Sequence, residues 1–235
     1  MQWRERLASA SATWEDLSRQ SPQTWLSPAE SERLRGFRAP AQRQLWLGGR
    51  WLAKQLLAEL LPEGRFSLGE LHLESRDGRA RAVRPRVYWR GRLQPWAASI
   101  SHDGDWLYAA ACLGPTARLG VDVAVPRFVD RRRLAFWFTP AERRWCDLAV
   151  NPSAAAVVWC LKEALYKAEN LGEPFVPRQL DVFDRLPPEA ARSEHPLGRQ
   201  CGGECVLEHG PRRFLVRLGN RRLTALVIAG LPSPD

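Results

Sequence analysis

The chain has 235 residues, of which 45% are hydrophobic and eleven are tryptophan. This composition predicts a globular protein and excludes an intrinsically disordered one, and no apolar run is long enough to span a bilayer. The formal net charge of +9 favours a polyanionic partner, such as nucleic acid, an anionic membrane, a phosphorylated cofactor or an acidic protein. Residues 1–16 lack the apolar core of a secretory signal, so we expect a cytoplasmic protein.

Two predicted helix starts share one pattern and lie 112 positions apart. Residues 26–30 read LSPAE and residues 138–142 read FTPAE, each with Ser or Thr as N-cap, Pro at the first helical position and Glu three residues after the cap. A second helical segment follows each start. Three residues of this second segment correspond between the copies at a spacing of 113 positions. They are Trp46, Arg50 and Lys54 in the first copy and Trp159, Glu163 and Lys167 in the second.

A predicted β-hairpin follows each pair of helices. The first hairpin has strands at residues 97–100 and 106–113 and a turn at His102-Asp103-Gly104. The second has strands at residues 213–218 and 222–229 and a turn at Gly219-Asn220. Helix, helix and strands, twice over, predict an α+β pseudo-dimer of two similar halves, residues 1–118 and 119–235. The active site is expected in the cleft between the halves, where pockets often form. Because the repeat supplies an internal interface, we also expect a monomer.

The tip of the first hairpin, residues 99–105 (SISHDGD), is a candidate phosphate site. Ser101 and His102 on a tight turn can donate hydroxyl, imidazole and backbone hydrogen bonds to a phosphate. Ordinary turn chemistry is the alternative, because Ser, Asp and Gly are common turn residues.

Asp122 interrupts the apolar run at residues 119–125 (LGVDVAV), which predicts a buried strand. An unpaired buried carboxylate is costly, so Asp122 should contact a cation, a metal or several donors. A structural salt bridge to one of the many arginines is the alternative.

Residues 154–170 contain neither Pro nor Gly and predict a helix that carries Glu163 and Lys167 on one face. This pair is either a solvated ion pair or part of a site for a charged ligand. Two carboxylates, Asp122 and Glu163, together with substrate phosphates are the usual means of holding Mg²⁺. Because no Walker-type loop is present, a nucleotide-like ligand bound by Arg, Lys and His around Mg²⁺ fits best.

These three motifs resemble the Sfp-type 4′-phosphopantetheinyl transferases: SISHDGD at 99–105, GVDV at 120–123 and WCLKEALYK at 159–167, in this order. Phe37 and Arg43 are similar to the family's N-terminal phosphate-binding region, so the resemblance covers most of the chain. It implies a pseudo-dimer of two α+β halves. It also implies Mg²⁺-dependent transfer of 4′-phosphopantetheine from coenzyme A to a serine of an apo acyl or peptidyl carrier protein, with release of 3′,5′-ADP.

The resemblance further implies a role for each site residue. Asp122 and Glu163 would ligate Mg²⁺, Glu163 would deprotonate the carrier serine, and Lys167 would bind the pyrophosphate and balance developing charge. The remaining implied coenzyme A contacts are Arg43, Arg92, Ser101, His102 and Lys162. The sequence departs from the family at two positions: Ala124 replaces a second acid that many members carry, and Arg92 replaces a lysine.

Two alternatives stay open at this stage. A basic nucleic-acid-binding protein would explain the sequence pI of about 10, but not the acids Asp122 and Glu163. A family member that binds coenzyme A without catalysis would explain Ala124. We favour the enzyme, with an acidic carrier protein as partner and with neither nucleic acid nor a membrane as partner.

Overall fold

The computed structural model describes residues 2–61, 67–76, 82–114, 118–126, 131–149, 153–170, 172–192, 195, 197, 203–218 and 222–229. The helices are α1 (Ala10–Ser18), α2 (Pro28–Arg35), α3 (Pro40–Leu60), α4 (Arg131–Trp137), α5 (Pro140–Leu148) and α6 (Ala154–Glu169). The strands are β1 (Gln2–Ser9), β2 (Leu71–Arg76), β3 (Ala82–Trp89), β4 (Arg92–Asp103), β5 (Trp106–Leu113), β6 (Arg118–Ala124), β7 (Gly203–His209), β8 (Arg212–Leu218) and β9 (Leu223–Ala229).

The strands form two antiparallel sheets, in the orders β1-β5-β4-β3-β2 and β6-β9-β8-β7. The α+β class is therefore confirmed. The first predicted hairpin is β4–β5, whose first strand begins five residues earlier than expected, and the strands of the second hairpin are β8 and β9. The predicted turn at Gly219-Asn220 lies outside the described residues. No described helix combines the length and the apolar character that a membrane span requires.

The two sheets pack face to face, with a long helix on the outer face of each. Strand β5 shows the reason, because successive side chains point to opposite faces and both faces are buried. Leu107 and Ala109 pack with α3, whereas Tyr108 and Ala110 pack with the second sheet. Helix α6 packs on the outer face of the second sheet. The division of the chain at residues 118 and 119 stays a prediction.

Both predicted helix starts are confirmed. At α2, the Ser27 hydroxyl accepts a hydrogen bond from the Glu30 N–H, and the Glu30 carboxylate accepts one from the Ser27 N–H. Thr139 and Glu142 make the same reciprocal pair at α5. Each start has Pro at the first helical turn, where the missing N–H costs no hydrogen bond.

Each of these glutamates also forms a buried ion pair with a lysine of the following long helix. Lys54 Nζ lies 2.6 Å from Glu30, and Lys162 Nζ lies 2.8 Å from Glu142, with all four side chains at most 1% exposed. The equivalent lysines are thus 108 positions apart. The predicted correspondence of Lys54 with Lys167 at a spacing of 113 is therefore wrong, because Lys54 is the structural equivalent of Lys162.

Candidate active site

Gly120 lets helix α6 approach strand β6 closely. A Cβ atom at this position would lie 1.9 Å from the Ala164 carbonyl oxygen and 2.6 Å from the Ala168 amide nitrogen. Both distances are shorter than van der Waals contact, so only glycine fits opposite this turn of α6. Asp122 lies two residues further along β6 and points to the same side as Gly120. The close approach therefore brings the Asp122 carboxylate to Lys167 on α6.

Two carboxylates converge on one ammonium group at this contact. Lys167 Nζ donates a 2.7 Å hydrogen bond to Asp122 Oδ1 and lies 3.5 Å from Glu163 Oε2. The Asp122 side chain is 7% exposed, and those of Glu163 and Lys167 are 21% and 25% exposed. Asp122 thus meets a cation, as its burial required, and that cation is a lysine of α6 and not an arginine.

The pKa values of this cluster follow from its burial and its charges. Burial raises the pKa of Glu163, and the negative charge of Asp122 adds to the increase against the opposing effect of Lys167. Burial alone would lower the pKa of Lys167, but the charges of Asp122 and Glu163 outweigh it and raise that pKa. Lys167 is therefore protonated at neutral pH, and Glu163 is a stronger base than an ordinary carboxylate.

Ser101 and His102 lie beside this cluster but face different surroundings. The Ser101 hydroxyl donates a 2.6 Å hydrogen bond to Asp122 Oδ1 and accepts a 3.1 Å bond from Lys167. It is buried and does not line the cavity, and its bond orients Asp122; its contact with a phosphate stays a prediction. His102 does line the cavity, and partial desolvation and the charge of Lys167 lower its pKa.

A cavity of about 930 Å³ lies next to the cluster and is lined from both parts of the chain. Glu163, Lys167 and Tyr166 of α6 contribute to one wall. Residues 170 and 172–175, which follow α6, also line it. Residues from α2 to β4 contribute the rest, and they include four arginines and two aromatic residues: Arg33, Arg50, Arg76, Arg84, Phe37 and Trp46. Such a basic and partly aromatic lining suits a ligand with phosphate groups and a planar ring.

Arg50 is the cavity residue that the sequence interpretation did not recognise as a ligand contact. Its side chain is 6% exposed, its Cζ lies 4.9 Å from the centre of the Trp46 ring, and Nη2 donates a 2.7 Å bond to Ser75 Oγ. Its Nε atom lies 3.7 Å from Glu30 and makes no hydrogen bond. Burial lowers the pKa of Arg50 to about 10. The repeat contained a signal for Arg50 as a cavity residue, because Arg50 lies on the same face of α3 as Trp46 and Lys54.

Two predicted coenzyme A contacts do not line the cavity. Lys162 is fully buried in its ion pair with Glu142 and also donates a 2.7 Å bond to the Pro177 carbonyl, so it cannot reach a ligand in the cavity. Arg92 begins β4, nine residues before Ser101. Because a strand rises about 3.3 Å per residue, Arg92 lies about 30 Å along the strand from the acidic cluster.

Arg43 is also separated from the other predicted contacts. It is exposed on α3 and lines a neighbouring cavity of about 340 Å³. Phe37 lines both cavities, so the two are neighbours. The structure therefore brings together Asp122, Glu163, Lys167, Ser101 and His102, but not Arg43.

Asp122 and Glu163 are suited to a hard cation. Both carboxylates approach the same point of positive charge, and carboxylate oxygens are ligands that Mg²⁺ prefers. Within the described residues, no group of three His, Cys, Asp or Glu side chains could hold a metal ion. Ala124 is part of the apolar core around α6. The residues present therefore fit a cation that takes two ligands from the protein and the others from substrate and water.

Comparison with known proteins finds similarity over part of the chain. Residues 118–203 match the family described as the 4′-phosphopantetheinyl transferase superfamily. The matched segment contains Asp122, Glu163 and Lys167. The chain is also 28% identical, over 181 residues and 68% of its length, to a phosphopantetheinyl transferase of a Thraustochytrium species, and it spans 58% of that relative's length.

Two solved structures are similar to part of the chain. A holo-ACP-synthase from Plasmodium yoelii covers 46% of this chain and 90% of its own, with 16% identity and a TM-score of 0.37. A Helicobacter pylori holo-[acyl-carrier-protein] synthase in complex with coenzyme A covers 48% of this chain and 100% of its own, with 15% identity and a TM-score of 0.36.

Proposed function

We propose that this protein is an Sfp-type, Mg²⁺-dependent enzyme that transfers 4′-phosphopantetheine from coenzyme A to a serine of an apo acyl or peptidyl carrier protein. The observation that carries the proposal is the convergence of Asp122 and Glu163 on Lys167, inside the matched segment and beside a cavity with four arginines. An acidic pair next to a basic cavity suits phosphoryl chemistry, in which positioning and charge neutralisation supply most of the catalysis.

Coenzyme A carries a diphosphate, a 3′-phosphate and an adenine ring, and the cavity offers a contact for each. Lys167 and His102, next to the acids, suit the diphosphate. Arg33 and Arg50, on the wall from the first part of the chain, suit the 3′-phosphate, because a guanidinium binds phosphate with two parallel hydrogen bonds. Trp46 provides an aromatic surface for the base.

Asp122 and Glu163 would hold the Mg²⁺, which would neutralise the diphosphate oxygens. Ser101 supports this role because its hydroxyl fixes one oxygen of Asp122. Lys167 holds both carboxylates and balances charge on the leaving group.

Glu163 is the base that we assign to the carrier serine. The serine oxygen forms a bond to the phosphorus that carries the pantetheine, and the bond from that phosphorus to the bridging oxygen breaks. The serine proton passes to Glu163, and 3′,5′-ADP leaves with the electron pair of the broken bond. The raised pKa of Glu163 supports this role, because a base works best when its pKa is near the operating pH.

The charge of the chain suggests the kind of carrier. A net charge of +9 attracts an acidic protein and speeds encounter, so we infer an acidic apo carrier protein as partner. The packing of the two sheets within one chain supports a monomer. We also infer a cytoplasmic location, where coenzyme A and carrier proteins meet.

Binding of coenzyme A without catalysis is the second candidate, because Ala124 leaves two acids at the site. Intact-protein mass spectrometry of an apo carrier protein, incubated with this protein, coenzyme A and Mg²⁺, separates the two. A mass gain of one phosphopantetheine that is lost with EDTA and with Glu163→Gln supports the enzyme. No gain across several carriers, with coenzyme A still bound, supports the second candidate. Neither transfer nor coenzyme A binding, with nucleic acid bound instead, would contradict both.

A further inference from the structure

Alternate side chains of β4 bridge to β6, which is an edge strand of the other sheet. Ser99 Oγ accepts a 3.0 Å hydrogen bond from the Val121 N–H, and Ser101 Oγ donates to Asp122. Asp103 Oδ2 accepts a 2.7 Å bond from the Val125 N–H. Ser99 and Asp103 thus satisfy backbone N–H groups of this edge, as a neighbouring strand does inside a sheet.

Asp103 makes the bridge nearest the hairpin tip, and its bond is charge-assisted and short. Gly104, at a φ of +57°, turns the tip directly against Val125, whose Cγ2 lies 3.6 Å from the position of a Cβ on Gly104. Asp103 follows His102, and Val125 follows Asp122 by three residues. The Asp103 bond therefore adds to the Ser101–Asp122 bond a second link, nearer the tip, between the segment that carries the cavity histidine and the end of β6.

Asp105 holds the same tip in a different way. Its carboxylate accepts hydrogen bonds from the Ser9 hydroxyl at 2.7 Å and from the Ser11 N–H at 2.8 Å. These contacts attach the tip to the start of α1, which belongs to the same part of the chain as the hairpin. Asp105 thus stabilises the tip locally, whereas Asp103 fixes its position against β6.

We propose that Asp103 is a positioning residue that sets the spacing between His102 and Asp122, and through it the affinity for coenzyme A. This inference rests on the proposed function, because it assumes that coenzyme A contacts His102 and a Mg²⁺ ion that Asp122 would hold. Loss of the bridge lets β6 and the hairpin tip move apart. A misplacement of this kind weakens binding and catalysis without removing any group that touches the ligand.

The test compares Asp103→Ala, Asp103→Asn and Asp105→Ala with the unmodified protein. Isothermal titration calorimetry with Mg²⁺ measures the Kd for coenzyme A, and thermal unfolding measures stability. We expect Asp103→Ala to weaken binding about tenfold, the effect of one lost charge-assisted hydrogen bond. Asp103→Asn keeps a carbonyl acceptor and should restore most of the affinity. Asp105→Ala should lower Tm while the Kd stays within about twofold of the original, since its bonds are local.

Three outcomes would overturn the proposal. Asp103→Ala could keep the original affinity for coenzyme A, or Asp105→Ala could lose as much affinity as Asp103→Ala does. The third is a folded Asp103→Asn variant whose affinity is as weak as that of Asp103→Ala. In each of these the unmodified protein still binds coenzyme A, so the proposed function survives. If the unmodified protein binds no coenzyme A, the proposed function and this inference fail together. If it binds coenzyme A but transfers nothing, the transferase proposal fails and the Asp103 proposal is still decided by the Kd values.

Discussion

Lys162 and Glu163 are neighbours in the chain, yet their side chains point into different parts of the molecule. Lys162 is fully buried in its ion pair with Glu142, whereas Glu163 lines the cavity and contacts Lys167. Successive residues of a helix are about 100° apart, so one side chain can lie in the core while the next lines the cavity. Replacement of Lys162 should therefore affect mainly stability, and replacement of Glu163 should affect mainly transfer activity.

Replacement of Lys162 by Met should damage stability first. It leaves the Glu142 carboxylate buried and unpaired, which costs about 3–5 kcal/mol. Lys167→Met is the matched control on the same helix, and it should abolish transfer with a smaller loss of stability. Urea unfolding and the initial rate of carrier modification measure the two effects. A stable Lys162→Met variant that had lost coenzyme A binding would restore Lys162 as a ligand contact.

Replacement of Glu163 by Gln should raise stability while it abolishes transfer. Because the folded protein raises the pKa of Glu163 above its ordinary value of 4.5, folding favours the neutral carboxyl. Glu163 therefore stabilises the fold only at low pH and loses this contribution as pH rises from about 4.5 through the folded pKa. Gln is neutral at every pH, so Tm near pH 7 should increase. A fall in Tm at pH 7 would show that the pair with Lys167 outweighs burial.

The same pKa predicts the acid limb of the rate profile. Protonated Glu163 cannot accept the serine proton, so the transfer rate should fall as pH decreases through its raised pKa. Lys167, whose pKa is raised above 10.5, stays protonated across the neutral range and adds no limb there. Initial rates from pH 5 to 9 at limiting Mg²⁺, where the metal-free protein predominates, measure this. An acid limb retained in Glu163→Asp at the same midpoint would assign it to another group.

Replacement of Gly120 by Ala should disturb the contact between β6 and α6. The added Cβ would lie 1.9 Å from a backbone oxygen of α6, so the helix must shift, at a cost of about 1–3 kcal/mol. Gly69→Ala is the control, because a Cβ there meets no atom closer than 3.5 Å. Guanidinium unfolding and the transfer rate measure the effect. Full activity and stability in Gly120→Ala would contradict the need for this close approach.

Replacement of Arg50 by Lys should weaken coenzyme A binding although the charge is kept. Lysine lacks the planar guanidinium that stacks on Trp46 and donates two hydrogen bonds to a phosphate, so we expect the affinity for coenzyme A to fall about tenfold. Arg92→Lys, at the far end of β4, is the control and should bind as the original does. Calorimetric titration with coenzyme A and with dephospho-coenzyme A tests both. If Arg50 contacts the 3′-phosphate, dephospho-coenzyme A should bind equally to the original and to Arg50→Lys.

Local patterns predicted several features well. Both capping boxes depend on three neighbouring residues, so the motifs at residues 26–30 and 138–142 were sufficient to locate the starts of α2 and α5. Helix α6 followed from the absence of Pro and Gly at residues 154–170, and strand β6 followed from the largely apolar run at residues 119–125. Asp122 was expected to find a partner because burial of a lone charge is costly, and it did.

The repeat was predicted with the wrong register in its second helix. Lys54 follows Glu30 by 24 positions, but Lys162 follows Glu142 by 20, a difference of about one helical turn. The sequence pattern instead matched Lys54 with Lys167, which lies five positions after Lys162 and about 140° further round the helix. The match arose because Trp159 and Lys167 repeat the spacing of Trp46 and Lys54. The buried ion pairs distinguish the two, because only Lys162 reaches Glu142.

The sequence by itself determined the starts of α2 and α5, helix α6, the two hairpins, the α+β class and the three motifs, because each depends on residues close together in the chain. The tertiary structure decided which polar side chains share a site. Ser101, Asp122 and Lys167 meet because Gly120 admits α6 and β4 bridges to β6, and these approaches join residues 21 to 66 positions apart. Arg92 and Lys162 carry the same charge as Lys167 but lie at a strand end and in a core, and only packing separates these cases.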